Sequence, residues 1–185
     1  LYSLEPDGRI TTLLSNVTIS NGLAWSPDYK TLYYIDTPTR KVRAFDYDLA
    51  TGSIANARDA VHIHESLGWP DGMTSDVQGN LWIAMWGGSQ ITRWNPNTGQ
   101  LLEQIPVPAI NVSSCVFGGK DMNELYITSA RKGLDDASSF SKRRATRESG
   151  PRDSHCRRFR GLTGREHRCP GAYIAARREA AFAAT

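Results

Sequence analysis

Two residues in this chain carry side chains suited to shared chemistry, Asn21 and Asp71. Asn21 stands in Ser20-Asn21-Gly22-Leu23-Ala24-Trp25, ahead of Thr31-Leu32-Tyr33-Tyr34-Ile35-Asp36. Asp71 stands in Trp69-Pro70-Asp71-Gly72-Met73, ahead of Asn80-Leu81-Trp82-Ile83-Ala84. Each context gives an oxygen-bearing side chain, a glycine and an apolar residue at the mouth of a strand-like run. Amide and carboxylate oxygens suit hard cations such as Ca²⁺, Mg²⁺ or Mn²⁺, and Zn²⁺ accepts them too. Two such oxygens at equivalent places in a repeat can share one divalent cation. Asp71 is also a candidate general base, able to take a proton from an attacking water. Asn-Gly and Asp-Gly are equally the commonest tight-turn dipeptides, and both sites are expected to be turns, Asp71 on a Pro/Gly turn.

Other chemical residues point less clearly. His62 and His64 flank Ile63 and precede Glu65, but they fall on an expected connection between strand groups and read as solvated. Cys115 has no histidine near it in a motif and reads as a small buried residue. Ser113 and Ser114 lack a nucleophile-elbow context. Trp25, Trp82, Trp86 and Trp94 read as core, with Trp86 the best of them for a pocket wall.

The elements that must position Asn21 and Asp71 repeat. Thr31 to Ile35 is β-branched and aromatic; Lys41 to Tyr47 alternates; Thr51-Gly52 turns the chain into an outer strand beginning at Ser53-Ile54. Leu81 to Met85, Gln90 to Trp94, the Asn95–Gly99 turn and Leu101 to Val107 repeat that order. Aligned, Asn21 falls on Asp71, Leu32 on Leu81, and Phe45 on Trp94. A third unit starts at Ser113 and continues through Glu124 to Ala130. Four short strands recurring every 40–50 residues or so are the signature of a β-propeller. The expected fold class is therefore all-β, with about three blades' worth of propeller in residues 1–134.

Residues 135–185 differ in composition. Residues 1–134 hold 10 Lys/Arg against 13 Asp/Glu, and residues 135–185 hold 12 against 6, which together give the net charge of +3. Eleven of those 12 basic residues are Arg. Three readings compete for this Arg-rich tail: a disordered segment binding nucleic acid or acidic surfaces, a zinc site from His155, Cys156, His167 and Cys169 in no standard spacing, or an out-of-frame translation, which is favoured. No run approaches the roughly 18 apolar residues of a membrane span. Three cysteines without metal-ligand spacing fit a reducing compartment, so a cytoplasmic location is expected. Leu1 is not an initiator Met, so the N-terminus is expected upstream.

Residues 1–134 resemble the senescence marker protein/gluconolactonase/regucalcin family. The resemblance runs through Ile19-Ser20-Asn21-Gly22-Leu23, Ala44-Phe45-Asp46-Tyr47-Asp48, Pro70-Asp71-Gly72-Met73, Gly79-Asn80-Leu81-Trp82-Ile83-Ala84, Ser114-Cys115-Val116-Phe117-Gly118-Gly119 and Tyr126-Ile127-Thr128-Ser129-Ala130-Arg131. It implies a six-bladed propeller that binds one divalent cation at its axis and hydrolyses sugar lactones. It places Asn21 and Asp71 on two metal ligands and Asp71 on the general base. The family's third ligand, a Glu of its first blade, and an Arg/Asn substrate-binding segment precede the part of the pattern matched here, so substrate-binding residues are left unassigned. The implied function is metal-dependent hydrolysis of a sugar-acid lactone, with Ca²⁺ or Zn²⁺ as the leading cation. The alternative is a non-catalytic calcium-binding, regulatory protein or an inactive fragment.

Overall fold

The computed structural model describes residues 1–134 and the short strand Arg157–Arg158. Every long element is a β-strand. A hairpin of β1 (Tyr2–Leu4) and β2 (Ile10–Thr12) comes first. A four-stranded antiparallel sheet follows, in the order β3 (Ser20–Trp25), β4 (Thr31–Asp36), β5 (Lys41–Tyr47) and β6 (Ile54–His62). The same up-and-down order recurs in β7 (Trp69–Ser75), β8 (Leu81–Trp86), β9 (Gln90–Asn95) and β10 (Gln100–Pro106). β11 (Asn111–Gly118) and β12 (Glu124–Ala130) open a third unit. The fold is all-β, with consecutive propeller blades as the repeat predicts.

The middle strands explain why their sequences do not alternate. Leu32 and Tyr34 of β4 face one cluster with Phe45, while Tyr33 and Ile35 face the next blade. In β8, Leu81, Ile83 and Met85 pack towards the first blade, and Trp82 and Ala84 pack towards the third. A strand buried on both faces needs apolar residues at every position. Thr-Leu-Tyr-Tyr-Ile and Leu-Trp-Ile-Ala-Met supply them. The aligned repeat positions also make the same cross-strand pairs, Leu32 with Phe45 and Leu81 with Trp94. The outer strands β6 and β10 expose most of their residues and carry polar ones. That suits blade edges, where charge discourages pairing with another chain.

The inner strands sit side by side: β3 packs on β7, and β7 packs on β11. Cys115 of β11 is buried, its thiol pushed up to about 12 by burial and donating to the Trp82 carbonyl. It is a packing residue, as expected. His62 ends β6 and His64 caps the short turn after it, both exposed. β6 starts at Ile54, where the outer strand is expected, and runs on to His62, so His62 ends a strand and His64 lies on the connection.

The Arg-rich stretch 135–185 lies outside the described residues apart from Arg157–Arg158. That strand, β13, pairs antiparallel with Tyr126 and Ile127 of β12. The readings of the tail as disordered, zinc-binding or out of frame concern residues outside the description. Among the described residues no helix is long and apolar enough to cross a membrane.

Candidate metal centre

Neither Asn21 nor Asp71 lies on a turn, contrary to the expectation from their dipeptides. Asn21 and Gly22 lie within β3, and Asp71 and Gly72 within β7. Ser20 pairs with Asp36 and Leu23 with Tyr34, so Asn21 and Gly22 together oppose Ile35. Pro70 pairs with Met85 and Met73 with Ile83, so Asp71 and Gly72 together oppose Ala84. Each is a β-bulge, two residues against one, a device that re-aims a side chain and is frequent beside active sites. A third register shift falls between Val112 and Ser114 of β11, which puts Ser113 at the matching place.

The glycines serve close approach between neighbouring inner strands. A Cβ on Gly22 would stand 2.7 Å from the Asp71 carbonyl oxygen and 2.7 Å from Met73 Cβ. A Cβ on Gly72 would stand 2.7 Å from Ser114 Cβ and 2.8 Å from Ser114 Cα. Neither glycine is among those with positive φ. Their missing side chain, rather than their backbone freedom, is what the fold uses. With Gly22 against the Asp71 carbonyl, the neighbouring Asn21 side chain reaches the Asp71 carboxylate.

Asn21 and Asp71 are thus brought together across two blades. The Asn21 amide hydrogen-bonds to the Asp71 carboxylate. Asn21 Nδ2 also donates to Thr37 Oγ1 at 3.0 Å, and Thr37 Oγ1 donates to the Pro70 carbonyl at 2.8 Å. Thr37 is buried in the short turn joining β4 and β5. It pins that turn to the residue before Asp71. The Asp71 carboxyl is half-buried, and this burial raises it above the usual carboxylate range; the hydrogen bonds from Asn21 and the Gly72 backbone oppose that rise. Among the described residues no ion pair offsets its charge.

These residues fit a hard cation. With its amide hydrogens directed at Thr37 and Asp71, Asn21 leaves Oδ1 as an acceptor. The Asp71 carboxylate is a desolvated anion that a cation would relieve. Two protein oxygens fall short of the six to eight that Ca²⁺ takes, so water or other groups would complete the shell. Among the described residues no group of three His, Cys, Asp or Glu converges on a metal position.

A model of the SMP-30/gluconolactonase/LRE-like region matches residues 1–131. The chain belongs to that family. Bovine regucalcin is 47% identical over 135 residues, covering 73% of this chain and 45% of its own length. Zebrafish (Danio rerio) regucalcin is 44% identical over the same length of chain. Among solved structures, a luciferin-regenerating enzyme superposes with a TM-score of 0.70 at 44% identity, covering 76% of this chain and 47% of its own. A regucalcin from Agrobacterium tumefaciens, described as a calcium-binding protein, gives 0.67 at 30% identity, covering 70% and 44%. A gluconolactonase from Xanthomonas campestris gives 0.59 at 32%, covering 69% and 40%. The chain spans about half the length of the curated relatives it matches.

Within this family segment, three residues around the Asn21–Asp71 pair carry no signal in the sequence. Thr37 belongs to an ordinary-looking Asp-Thr-Pro-Thr hairpin and joins the pair only through contacts across 16 and 33 positions. Arg40 closes that hairpin with φ 53° and lays its guanidinium 3.7 Å from the centre of the Trp69 ring. Trp69 pairs opposite Trp86 at the same end of the second blade. Trp86 is half-buried.

Asp76 is a carboxylate of a different kind. It is 1% exposed and accepts from Arg93 Nη2 at 2.6 Å, Trp82 Nε1 at 3.0 Å and the Gln78 and Asn80 backbones at 3.0 and 2.9 Å. Its oxygens are satisfied by protein donors, so it ties the β7–β8 turn to β9.

Proposed function

We propose that the protein hydrolyses sugar-acid lactones, using a divalent cation held in part by Asn21 and Asp71. The observation that carries this is the placing of one amide and one desolvated carboxylate on adjacent inner strands, each on a bulge at the same position of the repeat. A divalent cation bound there would polarise the lactone carbonyl and offset the charge that develops on its oxygen.

The chain's own residues do the rest. Asp71 is the general base of this reading; burial raises its carboxyl, and a cation bound beside it would lower it again. It accepts a proton as water oxygen bonds to the carbonyl carbon. The ring C–O bond then breaks, and the proton held on Asp71 passes to the departing ring oxygen, giving the open hydroxy acid. Asn21 fixes the carboxylate through its amide hydrogen, and Thr37 fixes Asn21. The half-burial of Asp71 limits the water that reaches it.

The test is lactone turnover by the complete protein, followed through acid release in weak buffer, with and without chelator. Asp71→Ala should abolish turnover, and retained activity would remove Asp71 from the mechanism. A second reading is favoured by the short ligand set and by the calcium-binding description of the Agrobacterium relative. In it the pair binds Ca²⁺ without catalysis. Cation-dependent stabilisation with no turnover of any lactone would decide for it. The cation under the first reading is Ca²⁺ or Zn²⁺, with Mg²⁺ and Mn²⁺ next.

A further inference from the structure

Arg40 is placed for more than holding a hairpin. It has five N–H donors in a rigid fork, and the protein takes one of them, Nη1 to the Gly68 carbonyl at 2.7 Å. Among the described residues no carboxylate pairs with it. Its guanidinium instead lies on Trp69, whose indole is 43% exposed. A charge on an aromatic face keeps its in-plane N–H groups free for a ligand, and stacking fixes their direction.

The position of this pair is what gives it meaning. Arg40 ends the turn that begins at Thr37, and Thr37 contacts both Asn21 and Pro70. Trp69 lies two residues before Asp71 on β7. The β4–β5 turn and the start of β7 are therefore fastened together at the end of the blades that carries the Asn21–Asp71 pair. Arg40 and Trp69 form a cationic, aromatic rim beside the candidate base.

We propose that Arg40, held on Trp69, anchors a free carboxylate that the substrate carries in addition to its lactone ring. This rests on the lactonase reading above and narrows it to the monolactones of sugar diacids. An Arg fork matches a carboxylate with two parallel hydrogen bonds. The partly exposed Trp69 side chain adds an apolar surface on which the C–H groups of a sugar can pack.

Two lactones that differ only at C6 test this with the complete protein. D-glucaro-1,4-lactone carries a carboxylate there, and D-glucono-1,4-lactone a hydroxymethyl group. The ratio of their kcat/KM values is independent of how much enzyme is folded. Wild type should favour the diacid lactone, and Arg40→Met should lower the ratio roughly ten- to hundredfold, the worth of a charged hydrogen-bonded contact. Trp69→Leu should lower it severalfold, and Arg40→Lys, which keeps the charge and loses the fork, should fall between wild type and Arg40→Met. A ratio unchanged in Arg40→Met would overturn the proposal and reduce Arg40 to a hairpin tie, with lactonase activity intact. If neither lactone is turned over, the lactonase reading fails by itself. Calorimetric titration of D-glucaro-1,4-lactone into wild type and Arg40→Met then decides the anchor: binding lost in the variant supports it, and equal or absent binding in both overturns it.

Discussion

Gly72→Ala should destabilise the protein, and the sign of that effect tests how the inner strands meet. Gly72 is not among the positive-φ glycines, so alanine can adopt its backbone conformation. On backbone grounds alone, Gly to Ala at such a site stabilises by about 0.4–1 kcal/mol, because the unfolded chain loses freedom. The neighbouring strand reverses that expectation. The new Cβ would lie 2.8 Å from Ser114 Cα and 2.7 Å from Ser114 Cβ, where ordinary contact begins at 3.4 Å. Backbone cannot rotate away as a side-chain tip can. β7 and β11 would have to part by about 0.6 Å, the difference between 3.4 and 2.8 Å. Overpacking of this kind costs about 1–3 kcal/mol. For a protein of this size that lowers Tm by roughly 2–12 °C, at about 2–4 °C for each kcal/mol.

The assay is thermal unfolding of wild type, Gly72→Ala, Ser114→Gly and the double variant. Ser114→Gly removes the hydroxyl and Cβ that the new methyl meets, leaving only Cα in the way. The double variant should therefore lose less than the sum of the singles, a coupling that distant residues do not show. A Gly72→Ala protein as stable as wild type, or more so, would refute the close approach of β7 and β11. Additive losses in the cycle would place the clash elsewhere.

Other consequences follow from the same geometry. Removing the Asp71 charge as Asp71→Asn should raise Tm near neutral pH, because burial penalises the ionised form, and should remove any rise in Tm that a divalent cation gives wild type; an unchanged Tm and a persistent cation effect would contradict the assignment. Because the folded Asp71 pKa lies above its unfolded value, the folded state holds the proton more tightly between the two. Asp71's contribution to stability is thus fully present below the unfolded value and lost as pH rises through the folded one, while cation affinity should rise over that interval; a Tm–pH slope identical in wild type and Asp71→Asn would refute it. Thr37→Val should cost about 1–3 kcal/mol by leaving the Pro70 carbonyl without its donor, and should weaken cation affinity as Asn21 loses its support, both readable from melts with and without metal. Asp76→Ala should cost about 3–5 kcal/mol because it strands Arg93 and Trp82 Nε1, visible as a large fall in the urea midpoint.

The repeat was legible because blade burial is written locally. A strand covered on both faces must be apolar throughout, and Thr31 to Ile35 and Leu81 to Met85 announce this without help from the rest of the chain. Pairing Asn21 with Asp71 was legible for the same reason, since equal positions in a repeat land at equal positions in space. What the dipeptides concealed was their backbone. Glycine after Asn or Asp serves a tight turn by tolerating positive φ, and serves a bulge between packed strands by lacking a Cβ. Both demands write the same two letters. Only Ser114, 42 positions beyond Gly72, and the Asp71 carbonyl, 49 beyond Gly22, show which demand applies. The rim was hidden further still. Arg40 touches Trp69 across 29 positions and Gly68 across 28, and nothing in Thr-Pro-Thr-Arg distinguishes a hairpin-closing arginine from one aimed at a ligand.

This division has a physical basis that bears on the site itself. The hydrophobic pattern sets where inner strands lie, but the bulges set where their side chains point. Asn21 and Asp71 would lie on paired, regular strands with their side chains alternating strictly if each strand lacked its extra residue. Inserting one residue shifts the alternation only upstream of the bulge, so buried Ala24 of β3 and buried Met73 and Ser75 of β7 keep their register while the ends near Asn21 and Asp71 are re-aimed. Core and site are thereby specified by different residues of the same strand. A substitution at Gly22 or Gly72 acts on both, because it moves the strands apart where the bulges re-aim Asn21 and Asp71. That coupling ties the packing of the inner strands to the placing of the Asn21 and Asp71 oxygens.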